Sequence, residues 1–489
     1  MELYRKTPLM GWASWNCYRT NISEEILNKQ MDALIATGLS ECGYEYFNTD
    51  DGFFGGRDAN GRLLFHKERF PNGIKCIADR AHEKGLKAGI YSDGGDNTCA
   101  YYYDHEGENG VGVGLYGHEE TDLNMFLDEF GFDFIKVDWC GGVRLGLDEQ
   151  EQYTKISKII DEIRHRTNRQ LVFNICRWQF PGAWAAEVAD SWRTGADICS
   201  NFDSVMHQLD NIKFLQRYCK PGHVNDLDMM QIGNGMNLTE EKTHFVMWCM
   251  MSTPLMIGCD LTKLSKEQLD ILKNKELIAL NQDPACIQAF VIKEILDDKG
   301  ELLGEIWMKE LGEKDSKTKA IAFLNRSEKP LDMGLVFEEA GLCGDILNIR
   351  DLNLHKNMEI DTNSMKVQVG AHDVKVFKIT STESKHVENK DDKGEYVRKP
   401  IVTIDMEEAE RLLSEGAVLV DVRGVDQYEK GHLDGAVDIP YSDIHGMAKG
   451  IWKNLDTTLI VYCATGKRSS QAIGSLELLG YENVYMLKK

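Results

Sequence analysis

Short apolar segments alternate with amphipathic stretches along the chain to about residue 285. In the amphipathic stretches apolar residues recur every three or four positions, which predicts helices at 24–37, 74–84 and 150–167. The intervening segments predict eight strands: LMGWASW, YEYFNTD, LKAGIYS, FDFIKVDW, LVFNIC, DSWRTGADI, HVNDLDM and STPLMIG. Eight strand-helix alternations over this length favour a closed parallel (β/α)8 barrel over a doubly wound open sheet.

The pattern changes twice after the predicted barrel at residues 1–285. At 286–380 the helical period disappears, and segments such as AFVIKEI, GEIWMKEL and KAIAFLN predict an antiparallel β-sandwich domain. Residues 381–399 contain almost no large apolar groups, which is typical of an exposed linker. From 400 to 489 strand and helix patterns alternate again, so we expect a third, small α/β domain.

The segment FIKVDWC at 134–140 breaks the apolar pattern of a strand that is covered on both faces. Because side chains alternate along a strand, Lys136 and Asp138 share one face while Ile135 and Val137 point the other way. Buried charges are costly unless they are paired or used. From this segment alone, a self-satisfying buried ion pair and a functional pair both remain open.

Polar residues gather near the carboxyl ends of the predicted strands, on the face where barrel enzymes place their active sites. They are Asp50, Asp51, Tyr91, Lys136, Asp138, Arg177, Arg193, Asp197 and Asp228. We therefore expect these side chains to converge at the barrel mouth.

Net charge, apolar runs and cysteine usage limit which binding partners and which cellular compartment fit this sequence. A formal net charge of -23 argues against nucleic acid and anionic membranes, which both need a positive footprint. The longest apolar run, which starts at Phe245, is shorter than the roughly 20 residues that span a bilayer. The thirteen cysteines show no C-x-x-C pair, so neither a zinc site nor a disulfide framework is indicated. Reduced thiols and the absence of an apolar signal core predict a cytoplasmic protein.

Two of the strand-end carboxylates suit glycoside hydrolysis, which needs two carboxyl groups facing one bond. Asp138 and Asp197 lie near the ends of the fourth and sixth predicted strands. Lys136 would lower the pKa of Asp138 and keep it ionised as a nucleophile. Desolvation by Trp192, just before Arg193, would raise the pKa of Asp197 for acid catalysis. Metal binding is the alternative, but few histidines cluster with these acids, so we expect no metal and no organic cofactor.

In order, the segments GWASW, TDDGF, GIYSD with TCA, FIKVDWC, SWRTGAD and VNDLDM resemble the motif series of glycoside hydrolase family 27. That family contains the α-galactosidases and α-N-acetylgalactosaminidases, and the resemblance spans about residues 7–380. It implies a retaining exo-α-galactosidase acting on a small α-galactoside, with Asp138 as nucleophile and Asp197 as acid/base. The positions it implies for sugar binding are Trp15, Asp50, Asp51, Tyr91, Cys99, Lys136, Cys176, Arg177, Trp178, Arg193 and Asp228.

The sequence departs from the family pattern in the segment that reads the sugar's 2-position. Residues 176–178 are Cys-Arg-Trp, where many relatives have Cys-Glu-Trp or Cys-Gln-Trp. Arg177 and Phe180 are bulky where α-N-acetylgalactosaminidases carry small residues, so we expect a preference for α-galactose. An α-N-acetylgalactosaminidase or a β-L-arabinopyranosidase on the same site are the alternatives. Asp50 and Asp51 together argue for a substrate that has a hydroxymethyl group.

A second departure concerns Cys99 and Cys140, which match a disulfide pair of secreted relatives. In a reducing cytoplasm we expect thiols at these positions. An oxidised pair next to Asp138 stays open.

The third domain resembles a single rhodanese domain, through VDVR, YEKGHLDGAVDIP and the C-x-x-G-x-R loop of VYCATGKRSS. Cys463 ends a predicted strand, and a helix is predicted from about Ser469. The helix dipole, the loop N–H groups and Arg468 would stabilise a thiolate there. The resemblance implies a persulfide at Cys463, a sulfur donor or acceptor as partner, and a secondary thiosulfate sulfurtransferase activity.

Several alternatives stay open for this domain and for the whole chain. The domain could be an inactive docking module, and the whole chain could be a sulfur carrier whose barrel only binds sugar. The sequence ends at Lys489, near where relatives continue through a last helix, which leaves the completeness of the domain open. A homo-oligomer is also open.

Overall fold

The computed structural model describes residues 4–488 except 105, 360–362, 393, 395–400, 442 and 465. The predicted boundary between linker and third domain, at 399–400, lies outside the described residues. No helix in the described part of the chain is long and apolar enough to cross a bilayer.

A parallel barrel forms the first domain, and its strands lie where the alternation predicts them. The strands described in this region are β1 (Met10–Ala13), β2 (Tyr46–Asn48), β3 (Phe54–Arg57), β4 (Leu63–Phe65), β5 (Lys87–Asp93), β6 (Phe134–Asp138), β7 (Val172–Ile175), β8 (Ser191–Arg193), β9 (Val224–Asp226) and β10 (Leu255–Ile257). Eight of them pair in the order β10-β1-β2-β5-β6-β7-β8-β9. A parallel bridge between Met230 and Ile257 joins the two edges and closes the barrel. The predicted fold is confirmed, and the hairpin of β3 and β4 is an addition that the alternation did not predict.

Helices connect and surround the strands of this sheet. They are α1 (Trp15–Tyr18), α2 (Glu24–Ala36), α3 (Lys75–Glu83), α4 (Cys99–Tyr103), α5 (Glu119–Leu123), α6 (Cys140–Leu145), α7 (Glu149–Thr167), α8 (Ala185–Val188), α9 (Phe202–Ile212), α10 (Leu238–Met251), α11 (Lys266–Leu272) and α12 (Lys275–Asn281). A π-helical turn, Asn124–Glu129, extends α5, and 3-10 turns lie at Ser40–Cys42, Gly107–Gly110, Gln216–Tyr218 and Leu261–Lys263, with a further one in the second domain at Phe337–Ala340. The helices predicted from periodicity correspond to α2, α3 and α7. Ile156, Ile160 and Ile163 of α7 are buried, as the helical period requires.

The second domain is antiparallel, as predicted. Its strands are β11 (Phe290–Leu296), β12 (Leu302–Glu310), β13 (Thr318–Asn325), β14 (Leu331–Val336), β15 (Leu342–Asp351), β16 (Lys356–Asn357), β17 (Ser364–Val369) and β18 (Val374–Ser384). A sheet of order β11-β12-β13-β18-β15-β16 faces the β14-β17 pair across a core that contains Phe323 and Met333. Strand β18 runs to Ser384, past residue 381 where the linker is predicted to begin.

The third domain is a small parallel α/β layer. Its elements are β19 (Val402–Ile404), α13 (Met406–Ser414), β20 (Val418–Asp421), α14 (Val425–Glu429), β21 (Val437–Asp438), α15 (Ile444–Ile451), β22 (Leu459–Tyr462), α16 (Lys467–Leu478) and β23 (Val484–Leu487). The strands pair in the order β19-β23-β22-β20-β21, all parallel.

Helix α9, which follows β8 of the barrel, touches both other domains. Asp210 on α9 accepts hydrogen bonds from both Nη atoms of Arg326 in the β domain, at 2.9 and 2.8 Å. His445 of the third domain lies 3.6 Å from the same carboxylate and packs edge-on against the His207 ring. The C-terminal domain therefore sits against the part of the barrel that carries the loop after β8.

Candidate active site

Strand β6 places Lys136 and Asp138 on one face, as the alternation predicts. The Nζ of Lys136 donates to Oδ2 of Asp50 at 2.9 Å and lies 3.9 Å from Oδ1 of Asp138. Burial alone would lower the pKa of Lys136, but the charges of Asp138 and Asp50 outweigh it and hold that pKa well above its usual value. Lys136 is thus a charged bridge between two carboxylates. We call Asp50, Lys136 and Asp138 the first triad.

The loops after β5 and β6 are joined directly behind Asp138. Cys99 and Cys140 form a disulfide, so the expectation of two thiols is wrong for this structure. The Sγ of Cys99 lies 3.1 Å from Oδ2 of Asp138. A Cβ at Gly95 would lie 2.1 Å from the carbonyl carbon of Gly141, so the two loops approach this closely only because the position is glycine.

Asp93, which ends β5, holds the same loops and was not singled out from the sequence. Its carboxylate accepts backbone N–H bonds from Gly95, Cys140 and Gly141 at 2.7 to 3.0 Å. Burial and the charge of Asp138 raise the pKa of Asp93 to about 8 despite those hydrogen bonds. Its place two residues after Tyr91, on the same strand face, is the signal that could have identified it.

Asp51 and Tyr91 tie helix α4 to the first triad. Asp51 accepts the N–H of Ala100 at 3.0 Å through Oδ2, and burial raises its pKa to about 7. The phenol oxygen of Tyr91 accepts the N–H of Cys99, and the ring centroid lies 5.3 Å from Nζ of Lys136. Both predicted residues therefore lie at the same mouth as Asp138.

Strands β8 and β9 supply a second set of charges. The Nη2 of Arg193 lies 2.7 Å from Oδ2 of Asp228 and 3.5 Å from Oδ1 of Asp197. Burial raises the pKa of Asp228, while the Arg193 guanidinium opposes that shift. The Asp197 side chain keeps 30% of its surface exposed, against 5% for Asp228. We call Asp197, Arg193 and Asp228 the second triad.

Trp192 does not have the neighbourhood that the sequence suggested. Its side chain is fully buried in the barrel core, and its Nε1 donates to Oδ1 of Asn225 at 2.8 Å. Because strand side chains alternate, Trp192 lies on the opposite face of β8 from Arg193. Besides Arg193, an amide from another domain, Gln471, is a polar partner of the Asp197 carboxylate.

Cys176, just after β7, lies between the two triads. The Nη1 of Arg193 lies 3.7 Å from its sulfur. Burial raises the pKa of the Cys176 thiol well above its usual value. The charges of Asp138 and Asp197 add to that shift, and Lys136 and Arg193 oppose it. The charges of Asp138 and Asp197, the two carboxylates proposed from the sequence, thus raise the pKa of the same thiol.

A pocket within the barrel is lined by some charged residues of both triads, but its lining includes neither Asp138 nor Asp197. Asp50, Tyr91, Lys136, Arg193 and Asp228 line it, as the strand-end rule predicts. Further polar lining residues that sequence reasoning missed are Asn48, Thr49, Asn174, Ser191 and Asp226. The Nδ2 of Asn174 donates at 2.8 Å to both Ser191 and Asp226. A polar residue inside the apolar strand LVFNIC was the available signal for Asn174.

Three further predicted sugar contacts have other partners in the structure. Arg177 donates through Nε to Glu149 at 2.7 Å and through Nη1 to Ser470 at 3.4 Å. Trp178 is buried and has a left-handed backbone with φ of 65°. Trp15 is half-buried, with the Arg19 guanidinium 4.7 Å from its ring centroid. Sugar binding by Arg177, Trp178 and Trp15 stays a prediction.

In the third domain, Cys463 follows β22 as predicted. The N–H of Gly466 donates to its sulfur at 3.1 Å, and α16 begins at Lys467, two residues before the predicted start. Nη1 of Arg468 donates to Gln427. Residue 465 of this loop lies outside the described residues.

Each of the three domains matches a known protein family. Residues 7–283 match the family described as Alpha galactosidase A, residues 304–379 match the Alpha galactosidase C-terminal beta sandwich domain, and residues 405–489 match the Rhodanese-like domain.

Individual relatives agree with these matches. The chain is 36% identical to Alpha-galactosidase 2 of Arabidopsis thaliana, over 76% of this chain and 89% of that protein. It is 39% identical to Alpha-galactosidase A of Cellvibrio japonicus, over 68% and 79% of the two chains. The crystal structure of α-galactosidase I from Mortierella vinacea superposes with a TM-score of 0.69 at 27% identity, covering 78% of this chain and 98% of that one.

Proposed function

Because the chain belongs to the α-galactosidase family, we propose that it hydrolyses terminal α-D-galactosyl residues with retention of anomeric configuration. The observation that carries the proposal is the pair of triads at the carboxyl ends of the barrel strands, each with a cation between two carboxylates. A retaining glycosidase needs one ionised carboxylate and one carboxyl group that can exchange protons. Buried Asp138 suits the first role and partly exposed Asp197 the second.

In the first step, a carboxylate oxygen of Asp138 forms a bond to the anomeric carbon as the glycosidic C–O bond breaks. Asp197 gives its proton to the departing oxygen, so the leaving group departs as a neutral alcohol. Lys136, 3.9 Å from Oδ1 of Asp138, stabilises the ionised nucleophile. The product of this step is a β-galactosyl ester of Asp138.

In the second step, Asp197 takes a proton from water while the water oxygen attacks the same anomeric carbon. The ester bond to Asp138 breaks, and α-galactose leaves. Two inversions give net retention.

The charged groups at the barrel mouth suit a ring with many hydroxyl groups. Asp50 and Asp51 are adjacent, buried acceptors for the 4- and 6-hydroxyls, and Lys136 and Arg193 are donors. A site that hydrogen-bonds hydroxyls rejects sugars that lack them, because its own polar groups would be left unpaired. This supports galactose over β-L-arabinopyranose, which lacks the hydroxymethyl group.

The segment after β7 supports galactose over α-N-acetylgalactosamine. Arg177 and Phe180 are both buried, Arg177 against Glu149 and Phe180 with its ring centroid 4.8 Å from that of Tyr218. Packed side chains of this size leave little freedom to admit an acetamido group.

A panel of nitrophenyl glycosides tests the specificity, and proton NMR of the first-formed sugar tests retention. We expect kcat/KM for the α-galactoside to exceed the values for the α-N-acetylgalactosaminide and the β-L-arabinopyranoside. Faster cleavage of either competitor would reject the specificity. First-formed β-galactose would reject the double displacement.

For the third domain we propose sulfur transfer through Cys463. The Gly466 N–H bond to the sulfur supports a thiolate at this position. The thiolate would attack the outer sulfur of thiosulfate and expel sulfite, leaving a persulfide. Cyanide would then take the outer sulfur as thiocyanate and restore the thiolate. Thiocyanate formation by the wild type but not by Cys463→Ser is the expected result, and no formation by the wild type rejects the activity.

We propose a cytoplasmic location. Its support is that eleven of the described cysteines are free and two form the disulfide, an unusual ratio for an oxidising compartment. Fractionation of the source cells, with this chain detected by antibody, tests it. Recovery outside the cytoplasmic fraction would reject it.

A further inference from the structure

The face of α16 that follows the Cys463 loop is buried against the barrel instead of being free. Ser470, Gln471 and Ser475 lie on this face, and each is at most 5% exposed. Ser470 accepts from Arg177, and the Ser475 hydroxyl lies 3.3 Å from Nε2 of His207 on α9. The C-terminal domain therefore covers the loop after β7 and the helix after β8.

One of these contacts reaches the acid/base carboxylate itself. The Nε2 of Gln471 donates to Oδ2 of Asp197 at 3.4 Å. Arg193 lies nearest the other oxygen, Oδ1, at 3.5 Å. Each oxygen of Asp197 thus has a nitrogen donor within 3.5 Å, one from the barrel and one from the C-terminal domain.

Gln471 lies where α16 packs closely against the segment after β7. Gln471 is 2% exposed, and one helical turn later Gly474 approaches the Gln179 side chain, which a Cβ there would meet at 3.1 Å. Asp197 itself stays 30% exposed, so the contact leaves part of its surface open to a leaving group.

We propose that Gln471 is a positioning residue for the galactosidase reaction, through which the C-terminal domain orients Asp197 toward the glycosidic oxygen. This rests on the proposed role of Asp197 as acid/base. Orientation of a proton donor matters most when the leaving group is a poor one. The domain would then be part of the glycosidase, whatever sulfur chemistry Cys463 performs.

Leaving-group dependence is the direct test, on the full-length chain. An α-galactosyl glucose disaccharide needs protonation of its leaving oxygen, whereas dinitrophenolate leaves without it. We expect Gln471→Ala to lower kcat/KM for the disaccharide about tenfold, because one hydrogen bond to a charged group contributes on that scale. For the dinitrophenyl α-galactoside we expect kcat/KM to fall less than twofold. A misfolded fraction would lower both values equally, which the second substrate detects.

A pH profile gives the second readout. The charged or titratable groups whose field reaches Asp197 include Arg193, Asp228, Cys176, Cys199 and, from the C-terminal domain, Tyr441. Gln471→Glu adds a carboxylate beside this set, and a like charge raises the pKa of an acid. We expect the alkaline limb of kcat/KM to move to higher pH by about one unit.

Asn454→Asp is the control for an added carboxylate, because Asn454 lies on the exposed surface of the same domain and its Oδ1 accepts the N–H of Asp456, as an aspartate oxygen would. It should leave the substrate ratio and the pH limb unchanged. Equal losses on both substrates in Gln471→Ala, or an unmoved pH limb in Gln471→Glu, would overturn the positioning role. If the wild type hydrolyses neither substrate, or Asp197→Asn is as active as the wild type, the proposed function fails instead.

Discussion

The two triads differ in how the chain holds them. Asp138 lies within a barrel strand, with its side chain 7% exposed, a disulfide sulfur at its oxygen and Lys136 two residues before it. Asp197 lies four residues beyond β8, is 30% exposed, and receives a hydrogen bond from a different domain.

This difference suits the two chemical tasks. A nucleophile must be placed to within a fraction of an ångström, and a strand with paired neighbours on both sides provides that. An acid/base group must exchange its proton with water twice in each turnover, so it needs exposure and a position that loops and neighbouring domains can adjust. The first triad should therefore tolerate substitution least.

The largest effect is expected at the strand-held carboxylate. Asp138→Asn should lower kcat by roughly 10⁴-fold, because no nucleophile remains. Hydrolysis of nitrophenyl α-galactoside measures it, with Asp270→Asn on an exposed helix position as control. Turnover within tenfold of the wild type would show that Asp138 is not the nucleophile.

A smaller, substrate-dependent effect is expected at the second triad. Asp197→Ala should lower kcat/KM for a disaccharide about 10²- to 10⁴-fold, and much less for a dinitrophenyl leaving group. Added azide should attack the surviving β-galactosyl ester and give α-galactosyl azide. The same anion with Asp138→Ala should attack the substrate directly and give the β anomer. NMR of the two azides separates the roles, and the same anomer from both variants would contradict them.

The disulfide behind the first triad should contribute stability as well as position. Replacing Cys99 and Cys140 together by alanine should destabilise the barrel by about 2–4 kcal/mol, because the bond closes a long loop in the unfolded chain. Calorimetry measures the fall in Tm, with the free Cys343→Ala as control. An unchanged Tm in the double variant would show that the bond does not constrain the barrel.

The smallest effect concerns pH and buried Asp51. Burial raises its folded pKa to about 7, from 3.8, so the folded chain binds one more proton than the unfolded chain between those values. The contribution of Asp51 to the free energy of unfolding is therefore largest below about pH 4, and it is lost as the pH rises through about 7. Tm of the wild type should therefore fall more between pH 5 and pH 8 than Tm of Asp51→Asn. Parallel Tm curves would show that Asp51 binds no extra proton in the folded chain.

Much of the first triad could be predicted from local sequence. Alternation within FIKVDWC places Lys136 and Asp138 on one face, because strand geometry repeats every two residues whatever surrounds it. The same rule was available for Asp93 and Asn174, whose polar groups interrupt apolar strands. The closest partner of Lys136, however, is Asp50 from another strand, which depends on the closure of the barrel.

The second triad was less predictable. The sequence suggested that Trp192 raises the pKa of Asp197. In the structure the Trp192 indole lies in the core, and the docking of the C-terminal domain places Gln471, 274 residues away along the chain, at the carboxylate. Arg177, expected at the sugar, has Glu149 and Ser470 as partners.

By itself the sequence determined the order of the three domains, the barrel strands and the carboxylates at their ends, since these follow from local hydrophobic period and from short motifs. Only the tertiary structure decided which oxygen each cation meets, that Cys99 and Cys140 join, and that the C-terminal domain touches Asp197. Those contacts depend on how domains and loops far apart in the chain dock together, and no local period encodes that docking.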